Sequence, residues 1–312
     1  GSFGFVFAAD FSDVAQSDKC AEAVSVLSGF GVISGYTDGT FKPEKNVTRA
    51  EMAAFIIKAL ALEPSGSATT VFTDVPASHW ASGYVAYANS LGIIKGRTAT
   101  MFDPDANVSY DEAVTMLVNA LGYTADSLTG TYPAAYISKA KALGILDNVT
   151  VTGTAKANRG DIAQLVFDTL TCNIGHVDKD GAWTANKLAG GGEDTMIARL
   201  GASPYKDGDP FVCDGTEEAV ISLKPYVGAY VTAYANKDKE IVAIEEIKSV
   251  FVTEEYDPAE ADTFGDYTIS TNAIKALTAG AVEFENGEPT GTNLTALPTT
   301  KGDYTFGAKV SG

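Results

Sequence analysis

Residues 72–123, moved back by 61 positions, fall on residues 11–62 without a gap. Phe11 meets Phe72, Asp13 meets Asp74 and Val14 meets Val75. Gly31, Gly35, Phe41 and Pro43 meet Gly92, Gly96, Phe102 and Pro104, and Asn46-Val47, Glu51 and Leu60 meet Asn107-Val108, Glu112 and Leu121. A tandem copy of this length constrains the fold strongly, because one such unit is too small to bury its apolar face alone and must stack on its neighbours. A third, more divergent copy follows. Its Leu143-Gly144-Ile145-Leu146 matches Leu91-Gly92-Ile93-Ile94, and Asn158-Arg159-Gly160-Asp161 stands where Thr48-Arg49-Ala50-Glu51 stands in copy one, once the intervening loop is shortened by three residues.

Each copy reads as helix, loop, helix. In copy one Ser17 or Asp18 is the expected cap of a helix carrying Ala21, Val24 and Leu27 at helical spacing, closed by Gly29 and Gly31. Residues 33–43 are dense in turn formers and predict an ordered loop. Thr48-Arg49-Ala50-Glu51 has the spacing of a capping box, and Met52, Phe55, Ile56, Ala59 and Leu60 supply the second helix's buried stripe. Copy two predicts a helix from Ser78 or His79 through Leu91, then a helix over Tyr110 to Leu121 capped by Ser109.

The motifs Phe72-x-Asp74-Val75 with His79-Trp80-Ala81, Gly31 to Pro43, and Thr48 to Glu51 resemble the S-layer homology family, the wall-anchoring modules of bacterial surface proteins. The resemblance covers residues 10–172. It implies a three-repeat, all-α pseudo-trimer around a central helical bundle, with grooves between repeats that bind secondary cell-wall polysaccharide, often bearing pyruvate ketals. It therefore implies a secreted protein of the cell wall or S-layer whose role is anchoring and not catalysis. The expected boundaries are 10–63, 71–124 and a degenerate 131–172. Copy two has Tyr110 where the motif has arginine, copy three has Asp161 where it has glutamate, and Trp80 is replaced by Lys19 in copy one and Tyr132 in copy three. One or two working grooves are expected, not three equal ones.

The residues carried over as polysaccharide-binding are Arg49, Arg159, Asp13, Asp74, Trp80, Gly31, Gly35, Gly92, Gly96 and Glu51. A pyruvate ketal presents a carboxylate, which a guanidinium meets with two fixed donors, helped by the amides of a helix start. Trp80 offers a flat face to sugar C–H groups, the aspartates accept hydroxyls, and the glycines let a ring approach the backbone. Each has a plainer reading: Glu51 as a capping partner, Trp80 as core, the glycines as turns, and the aspartates as helix or turn caps. Arg49, in the intact motif, is expected to contribute more than Arg159.

The chain carries 22 basic and 40 acidic residues, a net charge of −18. Through residue 172 there are 11 basic against 17 acidic residues, a balance of −6, leaving −12 for the remainder. Such acidity argues against nucleic acid, which needs clustered Lys and Arg. Against an anionic polymer, recognition must come from local arginines, and divalent cations would relieve the repulsion. Cys20, Cys172 and Cys213 are too few and scattered for a disulfide framework. No run of eighteen apolar residues predicts membrane insertion. Residues 1–9 are open between the tail of a secretory signal, after a Gly-Ser cloning remnant, and an apolar strand pairing with the C-terminal region or another subunit.

Beyond Thr171 the period breaks. Residues 173–215 read as a linker with Gly190-Gly191-Gly192 as a flexible joint, and 216–312 as a mainly antiparallel β domain. Expected strands are 219–223, 226–235, 240–247, 250–254, 282–284 and 304–310, with a hairpin turn at 236–239 and a short helix over 272–278. No cofactor is expected. Asp178-Lys179-Asp180-Gly181 has part of a Ca2+ loop but lacks its third acidic position and closing glutamate. His79 and His176 form no catalytic constellation, and Glu217-Glu218, Glu245-Glu246 and Glu254-Glu255 read as solvated surface before a glycosidase pair. Two rivals to simple anchoring stay open: a homo-oligomeric lattice or filament subunit, and the anchor of a wall-bound glycan hydrolase in a longer natural chain.

Overall fold

The computed structural model describes residues 11–15, 17–64, 66–213, 215–226, 229–247, 249–256, 258–260, 263–264, 267–268, 281–285, 288–294 and 301–309. The apolar segment 1–9 and the helix expected over 272–278 lie outside the described residues. The chain divides into two compact units between Ala202 and Ser203.

Among the described residues the three copies of the first unit contribute six helices in three pairs: α1 (Ala21–Gly29) and α2 (Arg49–Ala59), α3 (Ser82–Ser90) and α4 (Tyr110–Ala120), α5 (Ala134–Ala142) and α6 (Arg159–Thr169). The second helices, α2, α4 and α6, touch one another and form a central bundle. Its packed residues include Met52, Ile56, Leu117, Leu121, Ile162 and Leu165, all under 2 % exposed. Burying each aliphatic side chain of this kind is worth about 1.5–3 kcal/mol. The outer helices do not pack on their own partners as simple hairpins would. Instead α3 lies on α2, α5 on α4, and α1 on α6. The long loop inside each copy carries the chain from one neighbour to the next, so every copy is completed by another.

The caps follow the residues that were expected at α2 and α4. Thr48 accepts from the Glu51 amide (3.2 Å) while Glu51 accepts from the Thr48 amide (2.8 Å), and Ser109 and Glu112 repeat the box at 3.2 and 2.9 Å. Asn158 caps α6 through the Asp161 amide at 2.8 Å. At α1 the expectation fails: Cys20 occupies the cap position without a side-chain bond, and Asp18 instead accepts from the Ala15 amide at 2.9 Å, tightening the turn before the helix. Likewise α3 starts at Ser82, because the His79 ring accepts from the Ala81 amide and keeps 79–81 in a turn.

Residues 173–202, expected as part of a linker, fold onto the first unit. A hairpin of β1 (Gly175–Val177) and β2 (Trp183–Ala185) is tied down by the Gly175 amide and the Trp183 indole N–H, which both donate to the Leu121 carbonyl at 3.0 Å. Trp183 stacks on Tyr123 with centroids 4.6 Å apart. The short α7 (Met196–Arg199) buries Met196 and Ile197 completely.

In the second unit, β3 (Ser203–Pro204) and β4 (Phe211–Val212) pair along one edge of β5 (Tyr230–Ala235), and β6 (Ile241–Ile247) pairs along the other. The Asn236–Lys239 turn joins β5 to β6 as expected, with the Asn236 amide on the Glu240 carbonyl at 3.0 Å. Residues 219–223 are not a strand: they make one bridge, Ala219 to Ile241, before a 3-10 turn at Lys224–Tyr226. β7 (Ser249–Tyr256) pairs with β12 (Gly302–Lys309) in unbroken antiparallel register, Ser249 opposite Lys309 and Tyr256 opposite Gly302. β8 (Thr263–Phe264) with β9 (Tyr267–Thr268), and β10 (Ala281–Glu285) with β11 (Glu288–Leu294), are separate antiparallel pairs.

Candidate functional site: the seams between copies

Three seams join the copies around the bundle, each built from the first turn of one second helix and the loop of the next copy. Val47 N–H donates to the Ala157 carbonyl, Ala157 N–H to Val108 and Val108 N–H to Val47, at 2.9–3.0 Å, closing a ring of backbone bonds. The next amides follow the same rule. Arg49 and Ala50 donate to the Ala106 and Pro104 carbonyls, Tyr110 and Asp111 to Ala155 and Gly153, and Arg159 and Gly160 to Lys45 and Pro43. With the third-position amides already on the caps, the helix-start donors are all committed. The expectation that these amides face an anionic ligand is therefore corrected: they are consumed holding the ring together.

Arg49 and Arg159 sit inside two of the seams. Arg49 is 6 % exposed and donates from Nε to the Phe102 carbonyl (2.9 Å), from one terminal nitrogen to Lys95 (2.8 Å) and from the other to the Glu112 carboxylate (2.8 Å). Its guanidinium lies 4.6 Å from the Phe102 ring centroid. Arg159, 4 % exposed, repeats this on copy one: Nε to Phe41 and a terminal nitrogen to Ser34, both 2.9 Å, over the Phe41 ring at 4.6 Å. At the remaining seam Tyr110 donates its hydroxyl to Asp161. Burial pulls the Arg49 pKa down from its ordinary value, opposed by Glu112. At Glu112 burial works against ionisation, but the Ser109 amide, Arg49 and Arg97 outweigh it and hold the carboxyl below its usual range.

The aspartates and glycines shape the loops beside these arginines. Asp13 accepts from the Phe41 and Lys42 amides (2.7 and 2.8 Å), and Asp74 from Phe102 and Asp103 (2.9 and 2.6 Å). Lys42 and Asp103 have φ of 60° and 64°, a left-handed backbone uncommon for such residues, so each carboxylate pins a strained corner. Phe11 and Phe72 pack on Phe41 and Phe102, each pair 5.5 Å apart. A Cβ at Gly96 would lie 2.6 Å from both the Met101 carbonyl and the Phe72 ring, and one at Gly35 2.7 Å from the Thr40 carbonyl. Gly31 and Gly92 end their helices in open space, and Glu51 is occupied by its capping box.

The exposed face of the site is aromatic and cationic. Trp80 is 59 % exposed, so it is not core, and it stacks on His79 at 5.9 Å. Beside it lies an open depression of about 580 Å³ lined by Pro64, Gly66, Ser67, His79 and Tyr84 among others. Tyr132 is also 59 % exposed. Two rim features were missed in reading the sequence: Arg97 on Glu112 (2.6 Å), and Lys45 donating to the Tyr36 hydroxyl (2.9 Å). Arg97 stands opposite Tyr36 in the repeat offset, and that difference between copies was the available signal. Among the described residues no group of three or more His, Cys, Asp or Glu is placed to hold a metal ion, and no helix is long and apolar enough to cross a membrane.

A ring of tandem helical copies with a buried arginine in two of its three seams defines a repeat-built helical module, and comparison with known proteins specifies it. Residues 10–53 and 71–114 match the S-layer homology domain. The chain is similar to the middle cell wall protein of Brevibacillus brevis, 36 % identical over 49 % of this chain and 15 % of that protein. It is 37 % identical to the surface layer protein of Brevibacillus choshinensis over 53 % of this chain and 15 % of the relative. It is 32 % identical to the cellulosome-anchoring protein of Acetivibrio thermocellus over 36 % of this chain and 26 % of the relative. The first two of the three copies are thus S-layer homology domains. The chain spans about 15 % of the length of the first two relatives.

Proposed function

We propose that the chain anchors a surface protein to the bacterial cell wall by binding secondary cell-wall polysaccharide, pyruvylated in the natural ligand, at its inter-copy seams. Residues 131–172 then act as a third, divergent S-layer homology repeat, and 203–312 as a mainly antiparallel β domain presented outward. The observation that carries this reading is the closed ring in which two matched repeats and the third helix pair share one set of seam bonds. Trp80 and Tyr132 are the sugar platforms. Asp13, Asp74, Gly35 and Gly96 hold the loops, Gly31 and Gly92 end the helices before them, Glu51 caps α2, and Arg49 and Arg159 supply the positive floor.

Stoichiometry tests the reading. Calorimetric titration with fragments of purified wall polysaccharide is expected to give one or two sites per chain, because the third seam has Tyr110 on Asp161 where the other two have a buried arginine. Three equal sites would contradict it. Lattice or filament assembly is a second reading, favoured by the name of the surface layer relative, and particle size by light scattering separates it from simple anchoring. Catalysis is not part of the proposal, and turnover on wall glycans would oppose it.

A further inference from the structure

We infer that Arg97, and not the buried Arg49, is the cation that receives the anionic group of the wall polymer at the seam between copies one and two. This rests on the anchoring reading above. Arg49 has three of its donors fixed to protein and a side chain 7 % exposed, whereas the Arg97 side chain is 42 % exposed on the same Glu112 carboxylate. Glu112 does not depend on Arg97, because Arg49 at 2.8 Å and the Ser109 amide at 2.9 Å already satisfy it. The second partner of Arg97, Asp103, stands 3.8 Å away and is itself half exposed, a weak contact in water.

The repeat supplies an internal control. At the seam between copies three and one, Arg159 makes the same two carbonyl bonds on the copy-one loop, whose corresponding position is Tyr36. That seam closes with Tyr36 at this place, its ring 4.2 and 4.9 Å from the Lys42 and Lys45 ammonium groups, so closing a seam does not require an arginine here and Arg97 can serve a ligand. A carboxylate-bearing sugar fits this site, because its charge takes two fixed donors of the exposed guanidinium. The other source of such charge, a phosphate in the polymer chain, is separated by the probe below.

The test uses the full chain and purified wall polysaccharide, before and after carbodiimide-borohydride reduction of its carboxyl groups. Parent protein is expected to bind the native polymer and to lose about tenfold or more in affinity on the reduced one. Arg97→Gln and Arg97→Tyr are expected to bind the native polymer as weakly as the parent binds the reduced one, with melting temperatures like the parent's. Arg97→Lys should recover part of the loss. Parent-like binding by Arg97→Gln would overturn the assignment of the cation. Equal parent binding to native and reduced polymer would overturn the carboxylate in favour of phosphate or neutral recognition. Failure of the parent to bind either polymer would overturn the anchoring reading itself.

Discussion

Replacing Arg49 with alanine is expected to weaken the fold before it weakens any ligand contact. The substitution removes three bonds at 2.8–2.9 Å and leaves the Phe102 and Lys95 carbonyls without those donors. It also removes the guanidinium from the Phe102 ring and opens space at a position 6 % exposed. Glu112 keeps Arg97 and the Ser109 amide, so the penalty of a stranded carboxylate is small. The buried Phe102 carbonyl left unmade costs about 1–3 kcal/mol, and with the part-buried Lys95 carbonyl and lost packing the total is about 3–4 kcal/mol. In a unit of this size each kcal/mol lowers the melting temperature by about 2–4 °C, so a fall of about 6–16 °C is expected. Circular dichroism at 222 nm follows the helices directly. Arg49→Ala with an unchanged melting temperature and lost polymer binding would refute this reasoning and restore Arg49 as the ligand's own partner.

Three further outcomes follow from the same contacts. Burial, then Asp168, raises the Glu22 pKa to about 7, and burial likewise raises Asp168 to about 6. The folded state thus holds protons that the unfolded state releases above its ordinary pKa, and this stabilisation, present at pH 4.5, is lost as pH rises through 7. Glu22→Gln is expected to raise the unfolding free energy from urea melts at pH 8 relative to the parent by at most about 3 kcal/mol before solvent screening, and to have little effect at pH 4.5. Gly96→Ala should cost about 1–3 kcal/mol in a thermal melt, since its Cβ meets the Met101 carbonyl and the Phe72 ring, while Gly190→Ala, in open space, should be neutral. Tyr110→Arg is expected to keep or raise the melting temperature by pairing with Asp161 as Arg49 pairs with Glu112, without added polymer affinity; a gain in affinity would show that this seam can be opened to ligand.

Local signals in the sequence were faithful where the cause is local. Thr48–Glu51 and Ser109–Glu112 form the boxes their spacing dictates, and Gly31 and Gly92 end helices as left-handed residues. The 61-residue offset also placed Asp13 with Asp74 and Gly35 with Gly96, whose shared duties the structure makes plain. Missing from the sequence was which copy completes which. The packing of α1 on α6 and the seam bonds Val47–Ala157–Val108 join residues far apart in the chain, so no periodicity announces them. The same is true of Trp183 on Tyr123, which turns a Gly-rich stretch into part of the first unit. In the candidate site, the exposure of Trp80 and the burial of Arg49 are tertiary outcomes: the motif names the residues but not which of them solvent can reach.

Anchoring by a wall polymer is tested most directly by pelleting the full chain with purified bacterial cell walls, before and after acid extraction of the secondary polysaccharide. The account predicts that the chain sediments with intact walls, that extraction leaves it in the supernatant, and that free polysaccharide competes it off. Undiminished pelleting on extracted walls would contradict it.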